Sequence, residues 1–434
     1  MLLENAFPRD PRVRNEAFTL ARAGYKITII AVRKDKKEKR KEKLDGVTIY
    51  RVPYMDLFKK TITAENWFKI QLHCMKSAFG YIFEYFYFTS LCFSLSLYIS
   101  VKEGFDVIHA HNPPNTLFLV GLFHKIFGKK FVFDHHDLAP ELYLSRFGIE
   151  GGFIYRMLLL EEKLCLRAAN MVIATNESYK DIDIKRGKID SEKVFIVRNG
   201  PDLERVRKVP PDQNLKGMGK KILVYVGKMG PQDGIDYLLR ALRDMVYKLQ
   251  RTDFFCIIIG PGDVVDDLKI LAHEFKVADF VWFTGYIPEA DLLRYLSTAD
   301  ICVDPNPSNP LNDSSTWIKV MEYMALGKPI VSFDLKETRF SAQRAALYVP
   351  PNDELEYAKT IIKLMDNPSK RAQMGVIGQK RVLDELSWQH VSQNLLLAYD
   401  WLFRDIEDKA TYRSDFKNRN IIDNGEIKIA PNQT

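Results

Sequence analysis

Short, mostly apolar runs alternate with longer amphipathic stretches along most of this chain. In the first half, such runs occupy residues 26–32, 47–52, 106–109, 130–134, 171–174 and 194–197. Runs of this kind are typical of parallel strands covered on both faces, and the stretches between them have the length and spacing of helices. The alternation predicts a parallel sheet built from strand–helix–strand units, with ligands bound at the carboxyl ends of the strands.

A change in composition separates this series from a second one. Residues 198–219 contain prolines, glycines and charges without apolar periodicity, which predicts a linker. Further apolar runs follow at residues 221–226, 254–259, 280–284, 301–304 and 330–333. The expected fold class is therefore α/β, with two Rossmann-like, doubly wound domains.

Composition and charge narrow the function classes. Hydrophobic residues make up 46% of the 434 positions and charged residues 27%, as is ordinary for a globular protein. The net charge is +7, but the run RKDKKEKRKEK at residues 33–43 supplies most of it, which argues against a nucleic-acid groove. We expect this run to form a solvated loop, with attraction to an anionic membrane as the alternative. The five cysteines form no CxxC pair, which predicts reduced thiols in the cytoplasm.

One long apolar stretch needs a separate interpretation. Residues 79–100, FGYIFEYFYFTSLCFSLSLYIS, contain Glu84 as their single charge, and their length fits a membrane span. Apolar α/β patterns flank them on both sides, and a spanning helix would divide one sheet across the bilayer. We therefore expect a pair of helices that is buried or rests on a membrane, with core packing alone as the alternative.

Residues 312–333 are the strongest candidate for a ligand site. Three residues that can cap a helix stand at its start: Asp313, Ser314 and Ser315. A helix is predicted over 316–326, followed by a buried strand. The start of such a helix attracts anions, and Glu322, two turns further in, could accept hydrogen bonds from a ribose diol of the same ligand. The alternative is an ordinary helix with one solvated glutamate.

Polar clusters also follow several predicted strands. Three of them fall in the first half: His109, His111 and Asn112; His135, His136 and Asp137; and Thr175, Asn176 and Glu177. In the second half, two strand-to-helix turns at residues 227–234 and 260–262 are rich in glycine. Neither turn completes a Walker or GxGxxG motif, so each is a weak phosphate signal.

A series of longer motifs, in a fixed order, gives a more specific indication. They are FPRDPRVRNEA, DVIHAHNPP, DHHDLAPELY, VRNGPD, YVGKMGPQDGIDYLLRA, FTGYIPEADLLRYLSTADI and KVMEYMALGKPIV. In combination they resemble a GT-B glycosyltransferase of family 4, a retaining, metal-independent type that uses nucleotide sugars. The resemblance spans about residues 1–403. It implies two Rossmann-like domains that face each other across a cleft.

The resemblance also implies how the chain is divided. An acceptor-side domain is expected at residues 1–198 and a nucleotide-sugar domain at 199–386. Residues 387–407 should form a helix that returns to the first domain, and 408–434 a flexible tail.

Roles are transferred by position in the motifs. Catalytic roles are implied for His136, Lys228 and Glu322. Donor binding is implied for Gly227, Lys228, Ile287, Ser314, Ser315, Lys319 and Glu322, and acceptor-side positions for His111, Arg12 and Asp137. No metal ligands are expected. Two positions depart from the family pattern, since Ser314 stands where a glutamate is usual and Asp233 where a lysine is usual, and the first loop carries Arg9, Arg12 and Arg14 in place of a Gly-Gly pair. Lys319 could restore positive charge near the diphosphate, with a surface pair with Glu322 as the alternative. The resemblance also implies that residues 312–316 present backbone N–H groups to phosphate and sugar.

The function implied is transfer of a hexose or N-acetylhexosamine from a UDP- or GDP-sugar to a cell-surface glycan or lipid-linked acceptor. The nucleotide sugar is a co-substrate, and no cofactor or nucleic acid is expected. The protein should be cytoplasmic, with attachment to the inner face of the membrane as an option. Two alternatives from other classes are a GT-B-fold UDP-N-acetylhexosamine epimerase and a non-catalytic scaffold that binds sugar nucleotides.

Overall fold

The computed structural model describes residues 1–55 and 67–404, with only the backbone described at 67–79, 81 and 82. Within these residues the first sheet has the strand order β3-β4-β2-β1-β5-β6-β7-β8. Its strands are β1 Leu2–Leu3, β2 Thr28–Arg33, β3 Lys41–Leu44, β4 Val47–Pro53, β5 Val107–His111, β6 Lys130–His135, β7 Met171–Ala174 and β8 Val194–Ile196. All described pairs are parallel except β3 with β4.

The second sheet is parallel in all its described pairs and has the order β11-β10-β9-β12-β13-β14. Its strands are β9 Lys221–Val226, β10 Phe254–Ile259, β11 Val281–Gly285, β12 Ile301–Asp304, β13 Ile330–Phe333 and β14 Ala346–Val349. The two doubly wound sheets confirm the predicted fold class. The predicted bounds of β7, β9, β10, β12 and β13 are confirmed residue for residue.

Helices connect the strands and cover both sheets. They are α1 Pro11–Arg22, α2 Trp67–Lys102, α3 Phe118–Lys125, α4 Ala139–Phe147, α5 Phe153–Ala168, α6 Glu177–Gly187, α7 Gln213–Gly217, α8 Ile235–Tyr247, α9 Val265–Glu274, α10 Glu289–Thr298, α11 Pro310–Ser314, α12 Ile318–Ala325, α13 Lys336–Ala342, α14 Glu354–Met365, α15 Pro368–Arg381 and α16 Trp388–Phe403.

Burial in β2 shows why the strand runs are apolar throughout. Ile29 and Ala31 pack into one core, which includes residues of α1 and α16, while Ile30 and Val32 pack into another beneath α2, α3 and α5. Successive side chains of a strand point to opposite faces, so a sheet covered on both faces needs apolar residues at every position.

The last helix, α16, follows the second sheet along the chain but packs against the first. The indole N–H of Trp388 donates to Thr19 Oγ1 on α1 at 2.9 Å, and the Tyr399 hydroxyl lies 2.8 Å from His109 Nδ1 on β5. Leu395 and Leu402 complete the same core. The chain therefore crosses twice between its two halves.

Two predictions about the first half are wrong. The apolar stretch at residues 79–100 belongs to one long helix, α2, and not to a helix pair. The basic run at 33–43 is not wholly a loop, because its end enters the antiparallel strand β3. Asp45 and Gly46 both have positive φ, as a tight hairpin turn requires, and this Asp-Gly signal was overlooked. None of the helices that the structure describes combines the length and apolarity needed to cross a bilayer.

Candidate functional site

Glu322 lies on α12, but this helix differs from the predicted one. It begins at Ile318 with Trp317 as its N-cap, so Glu322 is one turn from the start instead of two. The residues expected to cap it end a separate short helix, α11, whose N-cap is Asn309. Ser315 is extended and separates the two helices. The helix predicted over residues 316–326 is therefore present over 318–325, but the residues expected to cap it belong to the end of α11.

The Glu322 carboxyl group is half-buried and accepts no hydrogen bond from any residue that the structure describes. Burial raises its pKa to about 6, and nearby Arg205 opposes this while Glu289 adds to it. Arg205 and Glu289 form an ion pair with each other at 2.5 Å. A half-buried carboxylate with no described partner can accept hydrogen bonds from a ligand, and hydrogen bonds to a charged group are among the stronger ones.

The loop after β9 carries Gly227 and Lys228. The Gly227 N–H donates to Ile259 O at 3.0 Å, and the Gly260 N–H donates to Gly285 O at 3.1 Å, so the ends of β9, β10 and β11 are joined. A Cβ on Gly260 would lie 2.0 Å from Gly227 O, which explains why a glycine is required there. The Lys228 side chain is exposed and forms no hydrogen bond or ion pair with the residues that the structure describes. It is available to an anion at this edge of the sheet.

Asp233, one of the two departures from the family pattern, has a structural role. Its Oδ2 accepts the Gly230 N–H at 2.8 Å and closes the turn after Lys228. Burial raises the pKa of Asp233, while Lys319 lowers it. Ile287 follows β11, and its side chain is partly buried against the core beside the second sheet. The ends of these loops therefore surround one region at the carboxyl edge of the second sheet.

Lys319 is buried, and it does not form the surface pair with Glu322 that we weighed as an alternative. Its Nζ lies 3.1 Å from Asp304 Oδ1 and 2.5 Å from Asn306 Oδ1, and it sits over the Tyr225 ring. Burial alone would lower the pKa of Lys319, but Tyr225 and Asp304 raise it above its usual range. The amine stays charged, and that charge is balanced inside the protein.

The segment between α11 and α12 joins the two halves of the chain. The Asn176 side-chain amide donates to Ser314 O and to Thr316 Oγ1, each at 2.9 Å. The Ser315 hydroxyl is buried and donates to Leu311 O at 2.7 Å, so it is not free for a ligand. We expected residues 312–316 to present free N–H groups. This is wrong for Asn312, Asp313 and Ser315, whose N–H groups donate within the chain.

His136 follows β6, and its ring is partly exposed. Its Nδ1 lies 3.5 Å from Asp134 Oδ2. Asn112 Oδ1 accepts the backbone N–H groups of His136 and of Asp137 at 2.9 and 3.1 Å, and its amide donates to Asp137 O at 2.7 Å. Asn112 thus holds the whole loop, while the Asp137 side chain is exposed. The sequence placed Asn112 in a polar cluster without assigning it this role.

Arg12 is buried, and its guanidinium is engaged by other groups of the protein. Its guanidinium binds both oxygens of Asp134, at 2.8 and 2.6 Å, and Val197 O at 3.0 Å, and it also donates to Asn199. His111 is buried as well, with Nδ1 at 2.7 Å from Asp134 Oδ2. Of the three side chains expected on the acceptor side, Arg12 and His111 are therefore buried, whereas Asp137 is exposed. Burial would raise the pKa of Asp134, but Arg12 holds it well below its usual range.

This network also gathers atoms of the kind that bind metals. Ligand atoms of Glu16, His109, His111 and Asp134 lie within 4.8 Å of one another, which the sequence did not indicate. The Arg12 guanidinium contacts both carboxylates, at 3.2 Å from Glu16 and 2.6 Å from Asp134. The Arg12 guanidinium thus already supplies a positive charge to this cluster. Burial and the nearby Asp134 carboxylate raise the pKa of Glu16 well above its usual value.

Comparisons with known proteins agree with this geometry. A family model described as Glycosyltransferase Family 4 matches residues 12–205, and one described as Glycosyl transferases group 1 matches residues 220–367. The chain belongs to glycosyltransferase family 4. Its predicted GT-B fold and its assignment as a hexosyltransferase are confirmed.

The relatives of the transferase are distant. Alpha-maltose-1-phosphate synthase of Mycolicibacterium smegmatis is 24% identical over 325 residues, 69% of this chain and 80% of that protein. A GDP-mannose-dependent monoacylated alpha-(1-6)-phosphatidylinositol monomannoside mannosyltransferase of Corynebacterium glutamicum is 29% identical over 173 residues, 39% of this chain and less than half, 44%, of that protein. Among solved structures, Anabaena HepE in complex with UDP-glucose has a TM-score of 0.67 at 15% identity, covering 92% of this chain and 98% of that one.

Proposed function

We propose that the transferase moves a hexose or N-acetylhexosamine from a UDP- or GDP-sugar to a cell-surface glycan or lipid-linked acceptor, with retention at the anomeric carbon. The observation that carries the proposal is Glu322, a half-buried carboxylate at the carboxyl edge of the second sheet that has no partner among the described residues. Two ribose hydroxyls supply the donors that such a group lacks. The proposed domains remain residues 1–198 and 199–386, with 387–407 as the returning helix.

Each side of the cleft has its own part in the proposed reaction. The bond from the anomeric carbon to the diphosphate breaks, and the acceptor oxygen bonds to the same face of that carbon. The acceptor's proton passes to the departing diphosphate oxygen. Lys228 offsets the negative charge that grows on the diphosphate, since a preorganised cation stabilises charge as it develops. His136 orients the sugar by a hydrogen bond, and Asn112 and Asp134 position His136.

Names of the relatives support both donor bases. HepE was crystallised with UDP-glucose, and the Corynebacterium relative is named as GDP-mannose-dependent. The latter relative is also named for a phosphatidylinositol acceptor, which supports a lipid-linked acceptor here. Acceptor contact at Arg12 and His111 is proposed as indirect, through the loop they hold.

A panel of nucleotide sugars tests the proposal. A cognate donor at 100 times its dissociation constant should stabilise the purified protein by about 2.7 kcal/mol in a thermal-shift assay. The same donor should then be hydrolysed slowly without acceptor. Release of an epimerised nucleotide sugar would instead establish the epimerase alternative, and binding without any turnover would establish the scaffold.

Lys228→Ala should lower kcat/KM for donor hydrolysis by about 100-fold, since one lost donor to a developing charge has this order of effect. The free energy of unfolding should not change, because the side chain is exposed and forms no hydrogen bond or ion pair with described residues. Lys370→Ala, an exposed lysine on α15, is the control. Equal activity of the two variants would remove Lys228 from the mechanism.

Donor binding should weaken in acid. The pKa of Glu322 is raised to about 6, so the carboxylate is lost as the pH falls through that value. If the ionised form binds the diol, affinity should drop about tenfold between pH 7.5 and pH 5. Calorimetry with an intact nucleotide sugar checks this, because a free nucleoside diphosphate has a terminal phosphate that itself titrates near pH 6. Glu322→Gln should bind with a flat pH profile, and a slope that persists in this variant would assign the titration to another group.

A further inference from the structure

Helices α2, α3 and α5 lie side by side over one face of the first sheet. The rings of Phe93 and Phe123 pack at 4.8 Å between α2 and α3, and Lys125 at the end of α3 donates to Ala168 O at the end of α5 at 2.5 Å. The outer side of this layer exposes large apolar side chains. We define the outer ridge as Ile126, Phe127, Phe153, Met157, Leu160 and Leu164.

The part of the outer ridge on α5 is a regular stripe. Its four members are spaced i, i+4, i+7 and i+11, which places them along one side of the helix. Phe153 is 80% exposed and Leu160 50% exposed, although the opposite side of α5 already buries Cys165 and Leu166 in the core. Scattered exposed apolar residues are ordinary on a protein surface, but a contiguous stripe is typical of a docking surface.

Basic side chains follow one flank of this stripe. Arg156 and Lys163 form no ion pair or hydrogen bond with described residues, and Arg167, one turn further on, donates only its Nε–H, to Gly187 O at 3.0 Å. The other flank carries Glu161, which burial among apolar neighbours shifts to a pKa of about 7. The stripe therefore has an apolar centre with a cationic margin.

The basic run at residues 33–43 is less suited to this role. Lys34 is bound to Asn5 Oδ1 at 2.9 Å, and Lys41 is paired with Glu103 at 3.4 Å. Arg33 donates to its own loop at Lys36 O at 2.5 Å. Three of the eight basic side chains in this run are thus held by contacts within the protein.

We propose that the outer ridge docks the transferase onto an anionic lipid bilayer. The proposal rests on the lipid-linked acceptor proposed above and names the surface that brings the enzyme to the lipid. An amphipathic helix with an apolar stripe and basic margin lies at the headgroup boundary, where the stripe is buried and the cations meet anionic lipid. A second copy of the chain is a poorer occupant, because a symmetric contact through this stripe would bring Arg156 and Lys163 of both copies together.

Vesicle flotation of the full-length protein tests this surface. Vesicles of phosphatidylcholine with 30% phosphatidylserine are compared with pure phosphatidylcholine. Wild type should float with the anionic vesicles, and the triple variant Phe153→Ser, Met157→Ser and Leu160→Ser should lower the bound fraction by about tenfold or more. Arg156→Gln with Lys163→Gln should remove the preference for anionic vesicles. The control is Val376→Ser with Leu383→Ser, an equally exposed apolar pair in the second half.

The melting temperature and the donor-induced thermal shift are measured on every variant. Both should stay at wild-type values, because the ridge lies outside the proposed donor site. Flotation unchanged in the triple variant would overturn the proposed surface. A wild-type protein that does not float would overturn membrane docking while leaving donor turnover, and hence the proposed reaction, intact. A wild-type dimer that the triple variant converts to a monomer would assign the ridge to a second copy.

Discussion

Glu322→Ala is expected to weaken binding of the cognate nucleotide sugar by about 100-fold or more, since two hydrogen bonds to a charged acceptor are lost. Stability of the free protein should not fall. Burial raises the pKa of Glu322 to about 6, so ionising this carboxyl above that pH opposes folding, and alanine removes the penalty. Calorimetric titration and the rate of donor hydrolysis measure the first effect, and thermal unfolding the second.

A matched control separates the site from a general loss of surface charge. Glu274→Ala removes an exposed carboxylate at the end of α9 and should bind donor as wild type does. Unchanged donor affinity in Glu322→Ala would contradict the assignment of Glu322 as the ribose-binding group. Lost affinity together with a lower melting temperature would indicate a structural role instead.

Arg12→Ala is expected to destabilise the protein by about 3–5 kcal/mol, the usual cost of breaking a buried ion pair. Asp134 would keep its burial and lose the guanidinium that holds its pKa low, and Val197 O would lose its donor at the boundary between the halves. Arg12→Lys should recover only part of the stability, because an ammonium cannot bind both Asp134 oxygens and the backbone at once.

Urea denaturation measures these differences, with Arg22→Ala as the control. Arg22 is exposed at the end of the same helix and should unfold as wild type does. In the double variant Arg12→Ala with Asp134→Asn, the loss should be smaller than the sum of the single losses, because the Asp134 charge that would lack its partner is removed as well. A simple sum, or a small effect of Arg12→Ala alone, would show that the guanidinium does not support the loop that carries His136.

Much of the fold was predictable because buried strands appear in the sequence as short runs of apolar residues. A strand covered on both faces is apolar along nearly its whole length, so the first and last residues of β9, β10 and β13 could be predicted from the apolar runs in the sequence. The order of the motifs was equally informative, and it led to the family and to Glu322, Lys228 and His136 as candidates. The Asp-Gly pair at residues 45 and 46 is also a hairpin signal in the sequence, although the turn was not predicted.

Other features depend on contacts between residues distant in the chain, which no local pattern records. α12 begins at Ile318 because Asn309 caps a separate helix and Asn176, from the other half, holds Ser314 and Thr316. In the sequence, Arg12 resembles an ordinary surface cation. In the fold it is buried and donates to Asp134, Val197 and Asn199.

Lys319 shows the same division between sequence and structure. The sequence placed this cation near the donor, whereas the fold pairs it with Asp304. Local patterns along the chain were enough to predict the two sheets, the family and the polar side chains at strand ends. Which of those side chains neutralise one another in the interior, and which remain without a described partner as Glu322 and Lys228 do, depends on contacts between residues far apart in the chain. A charge is stable in the interior only where the fold brings a counter-charge to it.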